Sequence, residues 1–180
     1  VGGVETLHSE QTLPEEAYPS QLTETKVRTV YIDFEKGEPV GLDGQKMSPL
    51  KVITELEKIA SAYAIGRDMH VGDTIIGIKG RVGFEAAAAL VIIKAHHMLE
   101  KHTMTKWQAY WKQQIGDFYG MLMHEGQYLD PVMRNMEAFL EDSQRSVTGR
   151  VGVILRPYTF MVEGVQSPYD LMNSGYGEYG

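Results

Sequence analysis

The sequence predicts an α+β fold, in which antiparallel strands and hairpins pack against several long helices. The segments with period-2 alternation and those with helical spacing come in the order strands, helix, strand, three helices, hairpin. That order is not the regular strand–helix alternation of a doubly wound sheet. A third observation is Asp43-Gly44, a strong hairpin signal between short β-type runs.

Residues 1–26 carry no sustained apolar period and hold Pro14, Pro19 and many Ser, Thr and Glu, so they read as an extended arm. Residues 27–34 (VRTVYIDF) alternate and are rich in β-branched and aromatic side chains, which predicts a strand. Segments 39–42 and 45–47 complete a three-strand meander around Asp43-Gly44. Ser48-Pro49 reads as a helix start, with Ser capping free N–H groups and Pro tolerated at the first position. Ile53, Leu56, Ile59, Ala60 and Tyr63 follow at helical spacing, and Gly66 ends the run.

Residues 70–79 predict a strand, 80–83 a turn, and 84–101 a helix apolar on most sides, which calls for partners on several sides. A long amphipathic helix is predicted over 105–123, with a stripe of Trp107, Trp111, Ile115, Phe118 and Leu122. Asp130-Pro131 restarts a helix after Gly126, with Val132, Met136, Phe139 and Ser143 on one side. Residues 151–155 and 159–163 predict a hairpin, and Ser167-Pro168 a short helix. The aromatic and Met-rich stripes either fill the chain's own core or form an oligomer interface, where such residues are enriched.

Composition narrows the function. The chain has 180 residues, 43% hydrophobic, with net charge -7 and no cysteine. An acidic balance disfavours nucleic acid as a partner, since phosphates call for a basic face. The lack of Cys excludes disulfides, thiolate nucleophiles and Cys-based metal sites. The longest apolar run, 84–93, is too short for a membrane span. These features point to a cytoplasmic protein with no membrane or nucleic-acid partner. The start at Val1, without Met, reads as a fragment of something longer.

The most informative stretch is 66–85, GRDMHVGDTIIGIKGRVGFE. Gly77, Gly80 and Gly83 recur every third residue, and Lys79 and Arg81 flank the middle one. A glycine turn beside a helix N-terminus and two cations could hold a carboxylate or phosphate; the same pattern also describes a tight turn with two solvated basic residues. Glu85 would then charge the first turn of the following helix. His96, His97 and His102 suggest a metal cluster, but adjacent residues point about 100° apart on a helix, so no metal is expected there and they read as surface or interface histidines. His124-Glu125 fails the zincin pattern, because Tyr128 stands where the second His belongs. There is no Walker loop, GxGxxG or GxSxG.

Taken in order, IGIKGRVGFEA, KAHHMLEKHTM, PVMRNMEAFLEDSQRSVTGRVGVIL and QSPYDLMN resemble the C-terminal half of argininosuccinate synthase. The resemblance runs from about residue 28 to 173. It implies that 27–180 is the synthetase and multimerisation domain, with 1–26 an arm continuing from an N-terminal ATP-binding domain. It further implies an enzyme that ligates citrulline and aspartate, using ATP with Mg2+, through a citrullyl-AMP intermediate. The SGGxDTS-like loop that handles the nucleotide in this family is not in this sequence, so no catalytic residue is expected here and the fragment alone should be inactive. The family's C-terminal domain completes the citrulline pocket and builds a homotetramer.

Two departures matter. The family pocket has a Glu on the strand before the GxKxR turn and a Tyr twelve residues later; here these are Gly72 and Phe84. Ser9 matches one of the pocket serines, and Lys79 and Arg81 are the candidate anion contacts. A carboxylate suits a free α-ammonium, whereas Gly and Phe remove charge and open apolar room, which suits an acyl-citrulline. The rival expectation is a non-catalytic oligomerisation module with no substrate site.

Overall fold

The computed structural model describes residues 8–173. Two antiparallel sheets form. The larger has five strands in the order β3-β2-β1-β6-β7, and the smaller is the hairpin β4-β5. Strand β1 (Arg28–Glu35) is central, pairing with β2 (Glu38–Leu42) and β6 (Gly149–Arg156); β3 (Gln45–Lys46) and β7 (Thr159–Gln166) are the edges. The period-2 pattern of β1 sends Val30, Ile32 and Phe34 to one face, where their neighbours are Val151, Val153 and Leu155 of β6.

Helices α1 (Pro49–Ser61) and α2 (Ala87–Thr103) cover that face. Val52, Leu56 and Ala60 of α1, and Ala87, Ala88, Val91, Ala95 and Leu99 of α2, complete the core. Helix α3 (Lys106–His124) and helix α4 (Pro131–Ser143) pack against each other. The Asp130 carboxylate accepts from Val132 N (2.9 Å), as the sequence predicts for that start, and Thr105 caps α3 in a capping box with Gln108.

The structure differs from the sequence reading in several places. Ser48 makes no side-chain capping bond, and α1 ends at Ser61, before the left-handed Gly66 (φ 91°). The strand expected at 70–79 is β4 (Arg67–Asp73); the turn lies at 74–78; and 80–83 is not a turn but part of β5 (Lys79–Glu85). Glycines interrupting an alternating run read as a turn, yet only Gly77 (φ 80°) lies in the turn, Gly80 lies in β5 with room beside it, and Gly83 sits in β5 where Leu13 approaches closely. Phe84 and Glu85 accordingly end a strand rather than open a helix. The N–H of Ala88 at the start of α2 donates to Glu57 of α1 (2.7 Å), so that helix start is served by Glu57 and not by Glu85. Ser167-Pro168 form a turn, followed by a 3-10 segment at Leu171–Asn173.

The stripe on α3 is not core. That helix contributes no buried residue, and Trp107 and Trp111 are 63% and 56% exposed. On α4 it is Met133 and Met136 that are buried, while Val132 and Phe139 lie exposed.

Candidate functional site

The β4-β5 hairpin carries all the sequence-predicted site residues except Ser9. Its register pairs Gly72 with Gly80, Val71 with Arg81, Asp73 with Lys79 and Asp68 with Phe84. Directly paired residues share a face, and alternate residues share it along each strand. Asp68, His70, Gly72, Gly80, Val82 and Phe84 therefore lie on one face. Arg67, Met69, Val71, Asp73, Lys79, Arg81, Gly83 and Glu85 lie on the other.

The arm covers the second face. Arg81 donates to the backbone carbonyls of His8 and Gln11, the latter at 2.9 Å, on either side of the turn that holds Ser9. A Cβ on Gly83 would run into Leu13. Arg67 binds Glu85 (3.3 Å), Glu15 (2.7 Å) and the Ser20 carbonyl, with its guanidinium 4.4 Å from the Tyr18 ring centre. Those carboxylates outweigh the cost of its burial and raise the Arg67 pKa further above its ordinary value.

Lys79 pairs with Asp73 at the exposed end of the hairpin. Lys79 and Arg81 thus point to the face opposite Gly72 and Phe84, and both are engaged by other groups. Ser9 is exposed and lies beside the carbonyl that Arg81 holds. The open face is left with Gly72, Gly80, Val82 and Phe84 as its small and apolar positions, bordered by Asp68 and His70. Asp68 is four residues from Gly72, about 13 Å along an extended strand.

A second polar cluster lies on α2. Glu100 is buried yet accepts from Lys112 Nζ (2.8 Å) and Gln144 Nε2 (2.9 Å). Gln144 Oε1 lies 2.8 Å from His96 Nε2, and His96 Nδ1 lies 3.7 Å from Glu100. The donor atoms of His96, His97 and Glu100 all fall within 4.8 Å of one another. The adjacent histidines do diverge, as the helix requires, but Glu100 sits one turn on from both and lies between them. Burial, the largest influence on each, holds both imidazoles below the ordinary histidine value.

Sequence reasoning missed Arg67, Glu57 and Glu100. The signal for Glu100 was a charge at i,i+4 from His96 on the otherwise apolar side of α2; the partners of Arg67 are distant in sequence and left no local signal. Among the described residues, no helix is long and apolar enough to cross a membrane.

Comparison with known proteins places these features in a family. Residues 5–180 match the family described as the arginosuccinate synthase C-terminal domain. Similar curated proteins include the argininosuccinate synthase of Dictyoglomus thermophilum, 39% identical over 83% of this chain and 38% of its own. The enzyme of that name from Dictyoglomus turgidum is 39% identical over 94% of this chain and 43% of its own. One from Methanocaldococcus jannaschii is 34% identical over 88% and 41%. The chain thus spans about two fifths of the length of these relatives.

Proposed function

Because the chain belongs to the argininosuccinate synthase family, matching its C-terminal domain, we propose that it serves as the part of a citrulline–aspartate ligase that completes the citrulline pocket and assembles the enzyme, in arginine biosynthesis in the cytoplasm. The whole reaction consumes ATP with Mg2+. The described residues do not fit a nucleotide's phosphates: Lys79 is paired with Asp73, Arg81 is spent on arm carbonyls, and no SGGxDTS-like loop stands in the sequence. Adenylation therefore belongs to residues outside this chain, which by itself is inactive in that step.

The observation that carries the pocket reading is the division of the hairpin into a face under the arm and an open face bearing Gly72 and Phe84. In this reading the open face meets the substrate's α-nitrogen. A free ammonium would want a carboxylate near position 72, and Asp68, about 13 Å away along the strand, is too far to serve. A neutral acylated nitrogen needs no counter-ion, and its acyl chain, extending along the same face, meets Val82 and then Phe84, the cross-strand partner of Asp68. The substrate is thus an N-acylated citrulline, with aspartate as the second reactant. Arg81 contributes by holding the arm, with the turn that carries Ser9, against the covered face of the hairpin, and Lys79 ties the end of the hairpin to Asp73.

Steady-state kinetics on a full-length enzyme carrying this domain tests the substrate. N-acetyl- or N-succinylcitrulline should be turned over with the higher kcat/KM, and Gly72→Glu with Phe84→Tyr should shift preference toward citrulline. A much higher kcat/KM for free citrulline in the unaltered enzyme sinks the acyl assignment.

Assembly is the second role. Trp107, Tyr110, Trp111, Phe118 and Met121 lie exposed along α3, and aromatic and Met side chains are enriched where subunits meet. The same observation favours a rival reading, an oligomerisation module with no substrate site. A homotetramer whose melting temperature is unmoved by citrulline or its acyl forms would support the rival.

A further inference from the structure

The cluster on α2 is absorbed by neither the pocket nor the assembly reading. It brings two imidazoles and a carboxylate to one point, and the surrounding hydrogen bonds fix how each presents itself. An ionised Glu100 only accepts, so the Gln144 group 2.9 Å away must be its Nε2 amide. That leaves Gln144 Oε1, an acceptor, facing His96 Nε2 at 2.8 Å. His96 therefore carries its proton on Nε2, and its Nδ1 lone pair faces Glu100 at 3.7 Å. Two acceptors facing each other suit a cation between them, and at the carboxylate that place is held by the Lys112 ammonium, 2.8 Å from the same Glu100 oxygen. The arrangement is also the one a metal-binding histidine adopts, with its other ring nitrogen donating to a carbonyl oxygen that orients the ring.

We propose that His96, His97 and Glu100 form a binding site for a borderline divalent cation of the zinc class, with the Lys112 ammonium as the competing cation at the same carboxylate. Two nitrogens and one oxygen, with a fourth position left to water, is a donor set that zinc, cobalt and nickel accept and that magnesium and calcium do not favour. A tetrahedral site with bonds of about 2.1 Å needs donors about 3.4 Å apart. His96 Nδ1 and Glu100 already approach that separation. The remaining donor, His97, is half-buried and closes the triangle by rotation about its side-chain bonds.

Two cavities give the site its access and its room. His97 and Glu100 line a cavity of 210 Å³ together with Lys94, Lys101 and Gln113, which opens a route to the carboxylate. On the other side, His96 and Lys112 line a cavity of 880 Å³, into which Lys112 can swing as a metal takes its place. Lys94, Lys101 and Lys112 together oppose a second positive ion, so the affinity is set by how readily Lys112 leaves.

Titration calorimetry of the untagged, chelator-treated chain with zinc chloride tests this, with cobalt absorption reporting the coordination geometry. The expected result is one zinc per chain, with affinity at least about tenfold weaker in His97→Ala and about tenfold tighter in Lys112→Met. His97→Ala removes a half-buried ring outside the Gln144 network and should fold normally, as checked by its melting temperature, so its result is decisive even if Lys112→Met leaves Glu100 unpaired and unfolds. No saturable zinc binding overturns the proposal. So does zinc binding unchanged in His97→Ala, which would assign the ion to another histidine, or zinc binding by a folded Lys112→Met that is no tighter than wild type.

Discussion

Leu13 of the arm lies against the bare Cα of Gly83 in β5, so closely that a methyl group on Gly83 would occupy the space of the leucine's terminal carbon. This contact explains why a glycine interrupts the strand. It lets the arm lie flat on one face of the hairpin while Arg81 and Arg67 hold it on either side. Leu13 ends in a flexible side chain, so Gly83→Ala should cost only about 1 kcal/mol, whereas Gly83→Val should cost about 2–3 kcal/mol through overpacking. Limited proteolysis should show the arm cut faster in Gly83→Val. An arm equally protected in both variants would mean that the Leu13 contact does not hold it down.

Stability should fall as acid protonates the α2 histidines. His96 and His97 are held below their unfolded value of 6.5 chiefly by burial. Between the folded and unfolded values the unfolded chain binds more protons, so stability rises with pH there. It is fully present above 6.5 and is lost as pH falls through that value toward the folded ones. Glu100 opposes this shift, while Lys112, Lys94 and Lys101 reinforce it. With chelator present, melting temperatures measured between neutral and mildly acidic pH should drop more steeply for the wild type than for His97→Gln. Parallel curves would place the acid sensitivity elsewhere.

Trp111 is more than half exposed on a helix with no buried residue. Trp111→Glu together with Phe118→Glu should therefore leave the protomer's own fold within about 0.5 kcal/mol of wild type. If α3 is the assembly face, the same pair should reduce the molecular mass measured by light scattering. Loss of folding, rather than of assembly, would mean that these side chains serve the protomer's own core.

Much of the fold was legible because it is locally encoded. The alternation of 27–34, the Asp43-Gly44 turn, the Asp130 cap and the final hairpin all appear in the structure. The hairpin β4-β5 was misread because its second strand is written as glycines, basic residues and isolated apolar side chains. What makes it a strand is non-local: the arm, more than fifty residues away, packs on it. The candidate site was legible as a stretch but not as a geometry. Lys79 and Arg81 stand close to Gly72 and Phe84 in sequence, yet the parity of the strands sends the two pairs to opposite faces. The stripe of α3 left its destination open, since an interface and a core share one pattern.

Arg67 binds this part of the molecule together, and its loss should be the most damaging single change in the hairpin. Its side chain is 11% exposed and that of Glu85 only 3%. Replacing Arg67 by Ala would leave Glu85 charged and buried without its cation, and would also release Glu15, the Ser20 carbonyl and the Tyr18 ring. Removing one partner of such a pair costs about 3–5 kcal/mol, because the remaining carboxylate keeps its desolvation penalty. Arg67→Lys should recover less than half of that. A single ammonium cannot span Glu85, Glu15 and a carbonyl as the forked guanidinium does, nor stack flat on Tyr18. Arg67→Ala with Glu85→Gln should be more stable than Arg67→Ala alone, since the buried charge is then gone. Denaturant unfolding of the three variants checks the order. A double variant no better than Arg67→Ala would show that the arm contacts, and not the buried carboxylate, dominate the loss.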